Sequence, residues 1–503
     1  MRVRRFSALR RSALTLSTIV LSLVAVTCGK ETSSPPPGAS QLAFKVDPVN
    51  ATAGSAVAPA VVVEARDGNG ALVSDFAGDV TLSLGANPGG GTLGGTTTVK
   101  AAGGVATFAS LSIDKKGAGY RLKATSGSLT AAMSATFDIS AGPATQLAFT
   151  TQPPTGVAGA GLAPAVTVSA RDALGNVADG YTGSVTVAIT NGTGAAGATL
   201  SGTKTVAATA GVTTFAGLSI DKVGTGYTLS ASATGLTGVT SATFNITAGP
   251  PSVLVISAQP TATVAGQPIA PAIVVTARDN MGNTATGFVG MVTLGITPGS
   301  GSPGATLAGT SSTAAAAGVA TFSSLSIAKA GTAYTLTAAA AGLTGVTTDA
   351  FDITVGPTAK LAYVIGPTST FAGAPIAPAV QVAAQDAVGN TDPTYTGSVS
   401  VTLAANPGGA ALSGTTTVAA VAGIATFGDL SLDKSSTGYT LMASATGLTS
   451  ITSSTFDNIA ATGSQVVFAV QPPATATAGA VITPCLQVAV KDGFGNIATA
   501  FNG

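Results

Sequence analysis

The sequence predicts an all-β protein made of tandem sandwich domains that follow one another in a line. Three observations lead to this fold class. The chain has 503 residues, about three times a typical domain. One short pattern recurs along it at an interval slightly above a hundred residues, and apolar and polar residues alternate with period two inside each interval. No segment shows the period of an amphipathic helix.

The composition excludes several classes of protein. Charged residues make up 8% of the chain, Gly accounts for 65 residues, and His and Trp are absent. An ordinary intracellular enzyme has about a quarter charged residues. After residue 28 the sequence has no uninterrupted apolar run of 18 residues, because Pro, Gly, Thr or a charged residue always intervenes. A bundle of membrane helices is therefore excluded.

The amino terminus has the pattern of an export signal. Five arginines fall within the first eleven residues, and an uncharged, Leu- and Val-rich segment runs from Ser12 to Thr27. Leu23 to Cys28 resembles the lipobox of bacterial lipoproteins, although Ala25 and Thr27 depart from its usual residues. We therefore expect residues 1–27 to be a signal peptide and Cys28 to be lipidated, with ordinary secretion or an uncleaved anchor as the alternatives.

Residues 28–40 are polar and rich in Pro and Ser, which predicts a flexible tether on the lipid anchor. Twelve such residues span at most roughly 40 Å. Removal of the signal leaves 16 basic against 20 acidic residues, so no basic excess remains for nucleic-acid binding. The expected location is the cell envelope, at the outer membrane or cell surface, with the membrane as partner.

An Asp-x-x-Gly-Asn pattern recurs along the rest of the chain, in degenerate form in its first copy. The aspartates lie 105, 107, 107 and 106 residues apart, at Asp67, Asp172, Asp279, Asp386 and Asp492. Thr-Phe pairs and single tyrosines recur at matching intervals. We predict repeat 1 at residues 41–143, repeat 2 at 144–250, repeat 3 at 251–357, repeat 4 at 358–463 and a truncated repeat 5 at 464–503.

Repeat 2 shows the strand pattern most clearly. About seven alternating segments of four to eight residues are bounded by Gly, Pro, Asn and Asp, which is typical of an immunoglobulin-like sandwich. With only two cysteines in the chain, no disulfide joins the sheets. The predicted core consists of Val166, Val168, Val185, Val187, Ile189, Phe215, Tyr227, Leu229, Phe244 and Ile246.

Three features together resemble the bacterial immunoglobulin-like repeats of the invasin and intimin type. They are the Asp-x-x-Gly-Asn turn, a Gly-(Val/Ile)-x-Thr-Phe strand and a Gly-x-Tyr-x-Leu strand. The resemblance covers residues 41–503 and implies a surface stalk or an adhesin. It departs from the family where Ala314 to Ala317 replace the usual Thr-Asp, and where neither an amino-terminal barrel nor a lectin-like tip is found in the sequence.

The recurring Asp and Asn, for example Asp172 and Asn176, admit two interpretations. Carboxylate and amide oxygens in a Gly-containing loop suit calcium, but each copy offers about one carboxylate. Turn chemistry is the favoured interpretation, because Asp accepts backbone N–H bonds while Gly and Asn tolerate left-handed dihedrals. No metal site or cofactor is therefore predicted.

The recurring tyrosines, Tyr120, Tyr227, Tyr334 and Tyr439, are expected to be buried tyrosine corners rather than a ladder for sugars. The Asp-Lys pairs before three of them, such as Asp114 and Lys115, are expected to form solvated turns. Cys485 is expected to be a buried free thiol. The glycan acceptor sequences at Asn191 and Asn245 are discounted because the export signal is bacterial.

Catalysis is not predicted. Without histidine no Ser-His-Asp, Cys-His or histidine-ligated metal site can form. The carboxylate pairs Asp75/Asp79 and Asp349/Asp352 are close in sequence but have no counterparts in the other repeats.

Three hypotheses of function remain. The first is a non-catalytic cell-envelope stalk, in which four complete repeats of roughly 35 to 45 Å each would reach about 140 to 180 Å. The second is an adhesin for a protein or glycan ligand, which saturable binding of residues 41–464 to cells or glycans would distinguish. The third is the spacer of an exported enzyme whose catalytic domain follows residue 503.

Overall fold

The structure is a computed structural model that describes residues 38–502. The predicted signal peptide, Cys28 and most of the tether lie outside these residues. The described chain consists of strands and turns without an α-helix, and its strands form one small β-sandwich after another. The predicted fold class, a linear array of immunoglobulin-like sandwiches, is confirmed. Within the described residues no helix is long and apolar enough to cross a membrane.

Repeat 1 has eleven strands, more and shorter than the seven expected. They are β1 (Gln41–Val46), β2 (Ala51–Thr52), β3 (Val61–Arg66), β4 (Asp79–Ala86), β5 (Leu93–Gly94), β6 (Thr98–Lys100), β7 (Val105–Phe108), β8 (Ser112–Ile113), β9 (Gly117–Thr125), β10 (Ala132–Met133) and β11 (Phe137–Ser140). The unexpected ones are two-residue strands, which are too short to show an alternating pattern in the sequence.

Repeats 2 and 3 have twelve strands each, because the long strand that carries the recurring tyrosine is divided in two. Repeat 2 contains β12 (Gln146–Thr151), β13 (Gly156–Val157), β14 (Val166–Arg171), β15 (Ser184–Ile189), β16 (Leu200–Ser201), β17 (Thr205–Ala207), β18 (Val212–Phe215), β19 (Ser219–Ile220), β20 (Gly224–Tyr227), β21 (Leu229–Ser232), β22 (Val239–Thr240) and β23 (Phe244–Thr247). Repeat 3 contains β24 (Val253–Ala258), β25 (Thr263–Val264), β26 (Ile273–Arg278), β27 (Met291–Ile296), β28 (Leu307–Ala308), β29 (Ser312–Ala314), β30 (Val319–Phe322), β31 (Ser326–Ile327), β32 (Gly331–Tyr334), β33 (Leu336–Ala340), β34 (Val346–Thr347) and β35 (Phe351–Thr354).

Repeat 4 returns to eleven strands, and repeat 5 has two. Repeat 4 contains β36 (Thr358–Ile365), β37 (Thr370–Phe371), β38 (Val380–Asp386), β39 (Ser398–Ala405), β40 (Leu412–Ser413), β41 (Thr417–Ala419), β42 (Ile424–Phe427), β43 (Ser431–Leu432), β44 (Ser436–Ser444), β45 (Ile451–Thr452) and β46 (Phe456–Ile459). Repeat 5 contains β47 (Gln465–Val470) and β48 (Gln487–Lys491).

Repeats 1 and 4 have the same arrangement of two main sheets, and in repeats 2 and 3 the larger sheet is divided in two where the tyrosine strand is divided. In repeat 1 one sheet has the order β1-β3-β7, and the other has the order β2-β11-β9-β4-β6, with β10 beside β9. The pair β5-β8 forms a small third sheet. All pairings between the named strands of repeat 1 are antiparallel except that of β2 with β11.

The alternating pattern explains how the sheets enclose a core. In β3, Val61 and Val63 are buried while Val62 between them is only partly buried. Each of repeats 1 to 4 has its own hydrophobic cluster. Of the ten core residues predicted in repeat 2, nine are buried and Ile189, at the end of β15, is partly buried.

The prediction for Cys485 was wrong, because its side chain is exposed. Its counterpart in repeat 4, Ala379, precedes the fully buried Val380 and is itself only partly buried. Neighbouring residues on a strand face opposite sides, so the position before an inward-facing residue points outward. Leu486 and Val488, on the opposite side of the strand, are exposed as well, because the described part of repeat 5 has only two strands and no second sheet to cover them.

Candidate functional site

The recurring Asp-x-x-Gly-Asn segment is a tight turn that closes on its own aspartate. In repeat 2, the Asp172 Oδ1 accepts the backbone N–H bonds of Leu174 at 2.9 Å and Asn176 at 2.8 Å. Gly175 has a φ of +82°, a conformation that a residue without Cβ adopts at little cost. The turn chemistry predicted for the motif is confirmed.

The second oxygen of the same carboxylate reaches outside the turn. Asp172 Oδ2 accepts the N–H of Gly142 at 2.9 Å. Gly142 belongs to residues 141–143, the short segment without strand structure that ends repeat 1 and that we call the linker. Burial by itself raises the pKa of Asp172, but hydrogen bonds from the Asn176 side chain and from three backbone N–H groups outweigh it, so its pKa lies below the ordinary value. The carboxylate therefore joins the turn to the linker as a charged acceptor.

The side chain of Asn176 connects the turn to the preceding repeat by hydrogen bonds. Its Nδ2 donates to the carbonyl oxygen of Asp114 at 2.9 Å, and its Oδ1 accepts the N–H of Lys116 at 3.1 Å. Both partners belong to the loop before Tyr120 in repeat 1. One side-chain amide thus satisfies two backbone groups of another repeat, with donor and acceptor matched.

A tyrosine of repeat 1 holds that loop in place. The ring of Tyr120 is fully buried, and its hydroxyl donates to the carbonyl oxygen of Lys115 at 2.8 Å. Lys115 lies between the two residues that Asn176 contacts. The tyrosine-corner prediction is confirmed. Asp114 and Lys115 form a bend, as predicted, but this bend is only partly exposed to solvent because it lies against the next repeat.

An apolar side chain of the turn also touches the preceding repeat. A Cβ added to Gly54 of repeat 1, where φ is +76°, would lie 2.8 Å from Leu174 Cδ1. The absence of a side chain at Gly54 therefore makes room for Leu174. Nothing in the sequence of one repeat shows that its glycine serves the next.

The same contacts occur at all four junctions of the described chain, which we call junctions 1/2, 2/3, 3/4 and 4/5. The Asn Nδ2 to carbonyl distances are 2.9, 2.8, 2.7 and 2.8 Å, and the N–H to Asn Oδ1 distances are 3.1, 3.1, 2.8 and 3.0 Å. The linker N–H to Asp Oδ2 distances are 2.9, 2.9, 3.1 and 2.9 Å. The apolar residue and its glycine are Leu174/Gly54, Met281/Gly159, Val388/Gly266 and Phe494/Gly373.

Repeat 1 departs from the motif at two positions. It has Asn69 where repeats 2 to 5 have an apolar residue, and Ala71 where they have Asn. These are the two positions whose side chains contact the preceding repeat at the four junctions. The turn itself is retained, since Asp67 Oδ1 accepts the N–H groups of Asn69 and Ala71. The apolar residue and the Asn are therefore present in the repeats that dock on a preceding repeat, and the turn forms without them in repeat 1.

The junctions also form open clefts between the linker and the turn. Those at junctions 1/2, 2/3 and 4/5 have volumes of about 430, 440 and 310 Å³, and that at 3/4 about 1070 Å³. The large cleft contains Asp352 and Asp392, whose oxygens accept hydrogen bonds from Ala333, Thr358 and Thr394. These carboxylates are occupied in structural bonds.

Nothing among residues 38–502 supports the calcium alternative. No group of three or more His, Cys, Asp or Glu side chains lies close enough together there to hold a metal ion. The oxygens of Asp172 are already used by N–H donors of the turn, the linker and Asn176.

Comparisons with known proteins give matches only among solved structures. No protein-family model matches the chain, and no curated protein matches it. FdeC, an Escherichia coli adhesin, is similar over 63% of this chain and 98% of its own, at 20% identity and a TM-score of 0.31. Invasin, a bacterial integrin-binding protein, is similar over 85% of this chain and 82% of its own, at 16% identity and a TM-score of 0.28. Domains 4–9 of the surface layer protein SbsC have 15% identity, a TM-score of 0.19, and coverage of 86% of this chain and 69% of theirs.

Proposed function

We propose that this protein is a non-catalytic stalk of the bacterial cell envelope, anchored at its amino terminus and stiffened by docking between successive repeats. The observation that carries the proposal is the bridge made by Asn176 and its three counterparts, each of which binds two backbone groups of the preceding repeat. A spacer that holds its end away from a surface needs junctions that resist bending.

Three separate contacts hold each junction. At junction 1/2, Asp172 holds the linker, Asn176 holds the Asp114–Lys116 loop, and Leu174 lies against Gly54. Contacts with three separate segments of the preceding repeat restrict how one repeat can rotate on the other. The two neutral hydrogen bonds contribute about 1 kcal/mol each and the charged one about 2 kcal/mol, which is enough to keep a junction docked most of the time.

The amino-terminal pattern supports the envelope location. The export signal and the lipobox-like Leu23 to Cys28 would leave a lipidated cysteine followed by a polar tether. The exposed surface of the repeats is formed largely by Thr, Ser, Ala and Gly, with few charges, which suits a spacer rather than a strongly binding surface.

The chain itself supplies the variant that tests the proposal. Val388→Asn combined with Asn390→Ala gives repeat 4 the two residues that repeat 1 has at these positions, and repeat 1 folds with them. Small-angle X-ray scattering of the chain without signal peptide and Cys28 should show an extended rod for the parent. The double variant should bend at junction 3/4 and have a shorter mean dimension. Gln385→Arg, also copied from repeat 1 but outside the docking contacts, is the matched control.

The unfolding temperatures of both variants should stay close to that of the parent, because the turn keeps its Asp. A parent chain that already samples bent shapes as widely as the double variant would refute the stalk. Saturable binding of residues 41–464 to cells or glycans would instead support the adhesin hypothesis.

A further inference from the structure

Charge is concentrated in repeat 1. It holds seven Lys and Arg residues, whereas repeats 2, 3 and 4 hold three, two and two. The seven are Lys45, Arg66, Lys100, Lys115, Lys116, Arg121 and Lys123.

Four of these cations are engaged in the fold. Lys45 and Arg66 form ion pairs with Glu64 at 2.8 and 3.0 Å. At junction 1/2, Lys115 donates to a backbone carbonyl of repeat 2 at 3.2 Å, and Lys116 forms an ion pair with a carboxylate of that repeat at 2.6 Å. The other three, Lys100, Arg121 and Lys123, form no ion pair within the described residues.

These three cations lie on one face of the larger sheet, which we call the basic face. Lys100 on β6 is opposite Asp79 of β4, and Lys123 on β9 is opposite Ser83 of β4. Asp79 and Ser83 are four residues apart on one strand and so point to the same side. Arg121 is two residues before Lys123 on β9. Lys100 and Lys123 are exposed, and the partly buried Arg121 uses only its Nε, in a bond to the Ser134 carbonyl at 2.8 Å.

The later repeats have no such face. The position of Lys100 is Ala in repeats 2, 3 and 4, that of Arg121 is Thr in all three, and that of Lys123 is Ser, Thr and Met. The sheet folds with either set, so the fold does not require the three cations. They are confined to the repeat that follows the tether.

We propose that the basic face binds the phosphate groups of the membrane lipids on which the stalk stands. This rests on the proposed amino-terminal anchoring. A tether of at most roughly 40 Å keeps repeat 1 within reach of the lipid surface, while each later repeat stands roughly 35 to 45 Å further away. Two carboxylates lie on the same face, Asp79 on β4 and the exposed Asp138 on β11. The three cations outnumber them, so the face keeps the sign that attracts phosphate.

The test uses the whole chain without signal peptide and Cys28, so that binding cannot come from a lipid anchor. Phosphatidylglycerol vesicles should bind the parent in a sedimentation assay, more weakly as salt is raised, and phosphatidylcholine vesicles should not. Replacing the face with the residues of repeat 2, as Lys100→Ala, Arg121→Thr and Lys123→Ser, should lower the affinity at least tenfold, since each cation near such a surface contributes about fivefold.

The matched control removes the same charge from other repeats, as Lys204→Ser, Lys360→Ser and Lys491→Ser, and should lower the affinity much less. Equal losses in both triple variants, or binding by the parent that does not distinguish the two lipids, would overturn the proposal. Because scattering of the same proteins reports the rod, loss of lipid binding in a straight rod is distinguishable from failure of the stalk.

Discussion

Tyr120 and Asn176 bind the two ends of the same peptide group, the one between Lys115 and Lys116, although they belong to different repeats. The Tyr120 hydroxyl donates to the carbonyl of Lys115, while Asn176 binds the carbonyl of Asp114 and the N–H of Lys116. The tyrosine of one repeat thus shapes the surface on which the asparagine of the next docks. The core of each repeat and the junction that follows it are coupled through three residues of backbone.

This coupling predicts that Tyr227→Phe loosens junction 2/3 as well as repeat 2. The ring stays buried, but the Lys222 carbonyl loses its hydroxyl partner at 2.8 Å, which costs about 1 kcal/mol. Hydrogen exchange of the Val223 amide, which donates to Asn283, should accelerate about fivefold. Tyr181→Phe is the control. In a double-mutant cycle with Asn283→Ala, purely additive effects would contradict the coupling.

We expect the junctions to become less stiff in acid, because the aspartates that hold them lose their charge. Burial by itself raises the pKa of Asp279. The hydrogen bonds from Gly249, Asn283 and Met281 lower this pKa by more than burial raises it, so it lies below the ordinary value of 3.8. A depressed pKa means that the charged form stabilises the docked state. That contribution is complete above about pH 3.8 and is lost as the pH falls through the lower folded value. Scattering in a pH series should show a straight rod at neutral pH and bending only below this range, and bending that begins near pH 6 would contradict the assignment.

The glycine that faces the next repeat has two roles, which are to adopt a positive φ and to leave room for an apolar side chain of that repeat. A comparison of Gly266 with Gly479 separates these roles. Both have positive φ, of +77° and +81°, so Ala is strained at either. At Gly266 a Cβ would also lie 2.8 Å from Val388 Cγ1, whereas at Gly479 nothing lies within 4 Å. The β-branched Val388 has little rotameric freedom to move away. Gly266→Ala should therefore increase hydrogen exchange at Ala330 in junction 3/4, and Gly479→Ala should not.

Repeat 3 contains a position that glycine would improve. Ala333 has a φ of +57°, and repeats 1, 2 and 4 have Gly119, Gly226 and Gly438 at the same place with positive φ. Ala333→Gly should stabilise repeat 3 by about 1 kcal/mol, measured as a higher thermal unfolding temperature of that repeat. Ala314→Gly, on the exposed strand β29, should instead destabilise it by about 0.5 to 1 kcal/mol.

The anchoring prediction concerns Cys28. If the signal is cleaved before it and lipid is attached, Cys28→Ser should abolish incorporation of labelled palmitate and release the protein from the membrane fraction. Cys485→Ser, which removes the other cysteine of the chain, should leave both unchanged. Palmitate labelling that survives Cys28→Ser would refute the lipoprotein assignment.

Much of the fold could be predicted because it depends on short-range pattern. Alternation located Val166, Val168, Val185 and Val187 in the core of repeat 2, since burial on one face of a strand leaves a period of two in the sequence. The two-residue strands β13, β19 and β22 could not be found this way. They form because longer strands bring two residues beside a partner, and so short a segment has no period.

The site could be predicted only in part. The sequence determined by itself that there are five copies of one unit, that each closes a turn on an Asp, and that a tyrosine is buried in each of the four that contain one. Only the tertiary structure decided that Asn176 binds a loop about 60 residues earlier and that Gly54 makes room for Leu174. Local pattern records what a residue does for its own strand or turn, whereas docking depends on how two folded surfaces meet, and no spacing within one repeat encodes that.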